Sequence, residues 1–459
     1  DEKAQSTIIN NLQKEINEVK PVSKAVLQYV YITILEDYYQ KNYNFIKNRT
    51  NTETKKSKDF LIWTVIDFNK EINDHYEQLL VNEKELRETN IKIYIPIFDI
   101  SPSVDIKNYT IYDFLAQKKG NYLKSRITSW KQKKSTDFEK ELKMFYDKPE
   151  GFVKYDTKKL EDENFKKLIS FLQNNEKYYL KQKNYEKVDF AYFERLKYVR
   201  ESIWNEEYYL DKVADLEKSS TNIFLKQFLR LERVKYYQTK TFKNSEFNLH
   251  KNALALIDTI LNTNININAL AEAENIKLEI LKKSLSVSIP KNSYSEQNTR
   301  AFVNFKNVDS ITISYFELPQ KWNYIFNNYY HPDSEKWINK DSIIENFVIK
   351  NKPLKSQKIK LPNKQNYFDY STEILLEKLN IGNYLVYIET KNDSTSKEKV
   401  YTYDKITVTN MYVIEDDEDN KDTFYIYDRK TGKPIENIMI TSEDEKTKTN
   451  TKGSAFLKH

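Results

Sequence analysis

Ile374-Leu375-Leu376-Glu377-Lys378-Leu379-Asn380-Ile381-Gly382-Asn383-Tyr384-Leu385-Val386-Tyr387-Ile388 is the stretch on which the fold turns. Ile374, Leu376 and Leu379 stand before Gly382, and Tyr384, Val386 and Ile388 follow it, at the alternation of a half-buried strand. Glycine tolerates positive φ without a Cβ clash, so a reversal at Asn380–Asn383 predicts two antiparallel strands joined by a tight link. Past an exposed polar stretch, Asn392–Lys399, a further strand carries Ile406 and Val408. The pattern then recurs. Phe424 and Ile426 lead into the turn Asp428-Arg429-Lys430-Thr431-Gly432-Lys433-Pro434, with Ile438 and Ile440 beyond it and Pro434 confined to a turn or edge. Thr449, Lys452, Gly453 and Ser454 precede a last strand, Ala455-Phe456-Leu457. Short strands at this spacing predict antiparallel β-sandwiches.

Upstream the period changes. Leu285, Val287 and Ile289 alternate with serines until Pro290, followed by Ala301, Val303 and Phe305 and by Ile311, Ile313 and Tyr315. From Gln5 to Ser284 the pattern is instead that of amphipathic helices. Phe165, Leu168, Ile169 and Leu172 share one helix face, as do Phe224, Phe228 and Leu231, then Leu254, Ile257 and Leu261, then Ala269, Ala273, Ile276 and Ile280. Such stripes bury against one another, which predicts a stacked helical array without a strict repeat. Two interruptions stand out. Ile91–Ile100, with Pro96, reads as an extended crossing, and Asp147–Asp156, with Pro149 and Gly151, as a loop between helical blocks. The expected domains are a helical one over 1–284, with sub-blocks 1–148 and 152–284, a β-sandwich over 285–405, and a second, truncated sandwich over 406–459. The first sandwich carries an insertion over 318–357, with a helix around Ser334–Phe347 packed on it.

At 459 residues the chain exceeds what one core organises, and 39% hydrophobic residues exclude a disordered chain. With 74 basic against 68 acidic side chains, the surplus of six is ordinary surface, and no nucleic-acid partner is expected. No apolar run approaches the ~18 residues of a membrane helix, so no membrane-spanning segment is expected. The absence of cysteine excludes disulfides, thiolate metal sites and a Cys nucleophile within these residues. Asp1 in place of an initiator Met points to a removed export signal or to missing leading residues.

The search for chemistry ends without a site. His75, His250, His331 and His459 stand far apart and match no metal-ligand spacing. Five scattered glycines form no phosphate loop. The run Glu415-Asp416-Asp417-Glu418-Asp419-Asn420 lacks the spacing and glycine of a calcium loop and reads as a solvated turn between strands. Lys131–Lys134 reads as solvated helix surface. The pairs Tyr178-Tyr179, Tyr208-Tyr209 and Tyr236-Tyr237 suit stacking on sugars or bases, but neighbours on a helix diverge by about 100°, so one of each pair packs while the other sits at the edge. No catalytic, cofactor-binding or metal residue is assigned, no cofactor is expected, and the chain is expected not to be an enzyme.

Gly382-Asn383-Tyr384, Thr407-Val408-Thr409-Asn410, Asp428–Pro434 and Thr451-Lys452-Gly453 nevertheless form an ordered set. Together with Thr110-Ile111-Tyr112-Asp113-Phe114-Leu115-Ala116 and Ala301–Val308, the set resembles large bacterial alpha-2-macroglobulin family proteins, and more narrowly their Bacteroidetes-type branch. The resemblance implies a multidomain α-then-β chain: a helical array followed by macroglobulin-like, immunoglobulin- or fibronectin-like sandwiches. It also implies the N-terminal part of a large exported envelope protein, periplasmic or outer-membrane associated, that traps and inhibits peptidases. The alternative it implies is a structural or docking component of an outer-membrane complex built on a TonB-dependent-receptor-like protein. Its partners would be target peptidases or subunits of that complex. Glycan binding, resting on tyrosine richness, is a third expectation.

Overall fold

The computed structural model describes residues 2–50, 59–98, 100, 107–127, 142–203, 206–239, 248–263, 265, 267–295, 297–319, 326, 330–331, 336–337, 339–390, 400–418, 421–442 and 445–458. These fall into two compact units, 1–237 with 253–274, and 238–252 with 275–459.

The first unit is helical. Its helices are α1 (Glu2–Glu18), α2 (Pro21–Lys41), α3 (Tyr43–Ile46), α4 (Val65–Gln78), α5 (Glu83–Glu88), α6 (Ile111–Ser125), α7 (Pro149–Phe152), α8 (Glu163–Lys181), α9 (Tyr185–Ile203), α10 (Glu206–Ser219) and α11 (Ile223–Thr239); α12 (Leu249–Thr263) and α13 (Ile267–Leu281) follow, and the division between the units falls near the end of α11 and within α12 and α13. Local chemistry sets their starts. Thr64 and Thr110 each accept from the third helical N–H, while Asp67 and Asp113 bond back to the cap, giving α4 and α6 complete capping boxes. Pro21 and Pro149 occupy first-turn positions, where a missing N–H costs nothing. The helix stripes bury as their period dictates, with Phe165, Leu168, Ile169 and Leu172 inside, and Ala269, Ala273, Ile276 and Ile280 likewise.

Two readings of this unit are corrected. Ile91–Tyr94 is a 3₁₀ turn rather than an extended crossing, started by the Asn90 side chain accepting from Lys92 N–H. Asp147–Asp156 does not separate the helical blocks, because Phe145, Tyr146, Phe152 and Phe165 share one core with Leu123 and Leu196. Buried Arg195 ties that segment down, with Nη1 donating to Phe145 O and Nη2 to Asp147 O at 2.7 Å. The Gln173 amide adds bonds to Phe152 O and Tyr155 O at 2.9 and 2.8 Å. Sequence reading missed these clamps because a loop's Pro and Gly say nothing about what side chains arrive from elsewhere.

The second unit is built on strands β1 (Ser284–Ser288), β2 (Asn292–Ser293), β3 (Thr299–Lys306), β4 (Ser310–Glu317), β5 (Tyr330–His331), β6 (Lys336–Trp337), β7 (Lys355–Lys360), β8 (Asp369–Leu376), β9 (Gly382–Thr390) and β10 (Tyr401–Val408). They are followed by β11 (Met411–Glu418), β12 (Lys421–Asp428), β13 (Met439–Thr441), β14 (Lys446–Lys448) and β15 (Ser454–Lys458). One sheet has the order β1-β3-β8 and the other β2-β10-β9-β4-β7, antiparallel throughout except for the short parallel pair β2–β10. Ala301, Val303, Phe305, Ile374 and Leu376 from the first sheet meet Ile311, Ile313, Val386, Ile388 and Ile406 from the second in a single core, the signature of a two-layer sandwich.

Helices followed by antiparallel and mixed sheets are therefore the architecture. The hairpin predicted across Gly382 is not present. β8 pairs with β3, and β9 lies between β4 and β10, so the link crosses from one layer to the other. Alternation told which residues face the core, and both strands do face it, but two strands facing one core belong as readily to opposite sheets as to one. Gly382 itself has a φ of 159°, a value that L side chains rarely adopt, so glycine suits the link although the link is not a hairpin turn. β9 is also covered on its second face: α14 (Lys340–Lys350) in the insertion sets Ile344 against Phe316, Leu385 and Tyr387. The sandwich resumes at Lys355, and it ends at Val408 rather than at 405, since Thr407 and Val408 still pair with β2 and β9.

Beyond Asn410 a three-stranded sheet, β11-β12-β15, and a two-stranded one, β13–β14, begin the next β element. β12 and β13 do not form the expected strand–turn–strand pair. Tyr427 and Pro434 make an isolated bridge across the turn, after which the chain leaves and β13 pairs with β14.

Candidate functional site

A cavity of about 350 Å³ in the helical unit lies among α6, α8, α9 and α11. Its walls are largely rings, with Tyr109, Phe171, Phe190, Phe193, Phe224 and Phe228 prominent among them. Phe224 and Phe228, one turn apart on α11, meet edge-on at 5.2 Å. They are half-buried, while Leu225 and Leu229 beside them carry the packing of α11, so the stripe expected through Phe224 and Phe228 is displaced by about one position. Gly120 lets α6 approach α9 closely; a Cβ there would stand 2.6 Å from the Tyr198 hydroxyl, which donates to Gln117 O at 3.0 Å.

The polar groups of the walls are mostly matched within the protein. Asp113 accepts from Thr110, from Tyr179 OH at 3.0 Å and from Lys187 Nζ at 2.6 Å, so one carboxylate serves as helix cap and latch between α6, α8 and α9. Lys197 pairs with Glu194 at 2.5 Å, and Glu186 accepts from Asn222. Burial opposes the Lys197 ammonium, but Glu194 together with the Glu232 and Glu201 carboxylates outweighs it, so the pKa is raised and the group stays charged. Burial and then the Asp113 and Glu194 carboxylates push the Tyr109 phenol up, keeping it a neutral hydroxyl. Gln117 and Tyr109 also line the space.

The sequence-derived candidates are not brought together. His75 sits against Tyr31 with Nε2 3.5 Å from Glu71, and His250 stacks on Phe368 and bonds Tyr367 O at 2.9 Å. The side chain of His331, and His459, Lys131–Lys134, Asn392–Lys399, Asp419 and Asn420 lie outside the described residues. Glu415–Glu418 are strand residues of β11, facing Phe424, Thr423, Asp422 and Lys421 across the ladder rather than forming a turn. Of the tyrosine pairs, Tyr179 and Tyr209 are buried while Tyr178 and Tyr208 are half-buried, as their divergence on a helix requires, but Tyr236 and Tyr237 are both half-buried, so the third pair does not follow the expectation. Only Tyr179 among these six reaches the cavity. Among the described residues no three His, Cys, Asp or Glu gather to hold a metal, and no helix is long and apolar enough to cross a membrane. Sequence reading missed the cavity; the available signal was two phenylalanine pairs, 190/193 and 224/228, on helices whose packing was already supplied by other residues.

No family model matches the chain, and no curated protein matches it. Solved structures give partial likenesses. A piece of native alpha-2-macroglobulin from Escherichia coli spanning domains NIE-MG1 is 12% identical, covering 39% of this chain and 88% of that one, with a TM-score of 0.30. A longer piece, MG0-NIE-MG1, is 13% identical over 38% of this chain and 57% of its own, at 0.27. The N-terminal part of the bacterial S-layer protein SbsC is 11% identical over 86% and 80%, at 0.16.

Proposed function

We propose that the chain is the non-enzymatic N-terminal part of a large alpha-2-macroglobulin-like envelope protein of the Bacteroidetes-type branch, whose β domains take part in peptidase trapping. One observation supports this reading above the others: part of the set that carries the sequence resemblance, Thr409-Asn410 and the turn beginning at Asp428, sits at the joint between the sandwich and the next sheet. Asn410 joins the sandwich to the next sheet, its side chain accepting from Ser295 Oγ at 2.8 Å and its carbonyl from Arg429 N–H at 2.8 Å. Thr409 N–H donates to Ser293 O at 2.9 Å, and Arg429 Nη2 to Asn292 O at 3.4 Å. Asp428 organises its turn by accepting from Thr431 N–H and Oγ at 2.8 and 2.7 Å, and those bonds hold its pKa below the usual carboxylate range. Gly453 fits against that turn.

A trap needs sandwiches coupled so that a cut in one place moves another. With no cysteine, a Cys–Gln thioester is not among these residues. The test uses the full-length protein and a broad-specificity peptidase. Trapping predicts that the peptidase afterwards cleaves small peptides but no longer a folded protein substrate; retained attack on that substrate rejects it. The aromatic cavity favours a second reading, a docking component of an outer-membrane complex, tested by recovery of a defined outer-membrane subunit from native envelopes.

A further inference from the structure

We propose that the cavity among α6, α8, α9 and α11 is a receptor for a single uncharged aromatic side chain presented on a partner polypeptide. The inference rests on the docking reading and gives that reading its contact point. Size comes first. A dry cavity of about 150 Å³ takes one benzene, so about 350 Å³ accommodates a phenylalanine or tryptophan side chain with the adjoining backbone amides. Lining comes second. Phe190, Phe224 and Phe228 are half-buried in the isolated chain, which leaves ring surface for an edge or offset contact, worth roughly 0.5–1.5 kcal/mol beyond area burial.

Charge narrows the class. Lys187 is paired with Asp113 and Lys197 with Glu194, so an anion finds no free cation among these wall residues, while Glu186, exposed and held by the neutral Asn222 amide, keeps its charge and makes a cationic probe the necessary control. Tyr109 and Gln117, both lining residues, carry side-chain groups of the kind that a peptide N–H and C=O require. A sugar, whose many hydroxyls each need a partner, is less well served by walls whose planar faces are mainly phenylalanine.

The test is ligand-observed saturation-transfer NMR on the 459-residue chain with N-acetyl-phenylalaninamide, N-acetyl-lysinamide and maltotriose as probes. The proposal predicts saturable transfer to the first alone. Ala191→Phe, at a buried wall position, fills the space and should abolish it. Phe228→Ala, at a half-buried position where folding is less at stake, should weaken it about fivefold or more. Circular dichroism establishes that each variant is folded, and Phe228→Ala decides if Ala191→Phe is not. No transfer from N-acetyl-phenylalaninamide, transfer unchanged in the folded variants, or binding of maltotriose or N-acetyl-lysinamide at the same walls overturns it. If an outer-membrane subunit is recovered while the probe fails, docking stands and this contact falls. If the probe binds and no subunit is recovered, the cavity stands and the docking reading falls.

Discussion

Gly432 and Gly453 show how much of one residue's role is readable in advance. Both stand in turns named from sequence, and both take left-handed backbone, with φ of 67° and 74°. They differ in surroundings. A Cβ on Gly432 meets nothing within 4 Å, whereas one on Gly453 would lie 2.6 Å from Ile426 O and 2.8 Å from Pro434 Cβ. Gly432→Ala should therefore cost only the left-handed penalty, about 1–2 kcal/mol, and Gly453→Ala clearly more, seen as a larger drop in denaturant midpoint. His250 carries a pH dependence. Burial lowers its pKa from 6.5, Lys306 adds to that, and the Tyr367 carbonyl and Asp369 oppose it. The unfolded chain then binds the proton more readily, so the stability contribution is full above 6.5 and falls as pH drops below it. Urea midpoints between about pH 7.5 and about pH 5.5 should decline, and His250→Gln should flatten that decline. The buried pair Arg195–Glu176, at 2.7 Å, had no signature in the sequence, because nothing local distinguishes a lone interior Arg from a surface one.

At the scale of elements, periodicity reported faces reliably and partners poorly. Ile374, Leu376, Val386 and Ile388 all point into the sandwich core as their alternation demands, yet they reach it from opposite sheets. Alternation is a property of one strand, while pairing is decided by the whole layer. The same limit hid the cavity: the spacing of Phe224 and Phe228 marks a helix face but does not show that Leu225 and Leu229 fill the contact instead. The insertion helix was legible but not its bounds: it was expected around Ser334–Phe347, whereas Lys336–Trp337 are strand β6 and the helix runs Lys340–Lys350 from its Asn339 cap, and its packing makes a test. Ile344 is fully buried against β9, and Ile344→Ala should cost about 2–5 kcal/mol. Hydrogen exchange should quicken in Lys340–Lys350 well before it does in β3, whose far-side core does not include Ile344.

For the whole molecule, the change from period 3.6 to period 2 near Ser284 was the most legible feature, and the structure places the end of α13 at Leu281 and the start of β1 at Ser284. The Asn307 side chain donates to Ile280 O and Lys282 O at 2.9 and 3.0 Å, satisfying carbonyls at the end of that helix. Less legible was where one β element hands over to the next, because the alternation of β10 runs on through Val408 and only the bonds around Asn410 mark the joint. The account depends on that joint being stiff enough to couple the sandwich to the sheet β11-β12-β15. In a chain without cysteine, spin labels at Arg300→Cys and Lys452→Cys report the distance across it directly. A single narrow distance distribution, broadened by Asn410→Ala, is the predicted result; a distribution already broad in the unsubstituted joint would contradict the account.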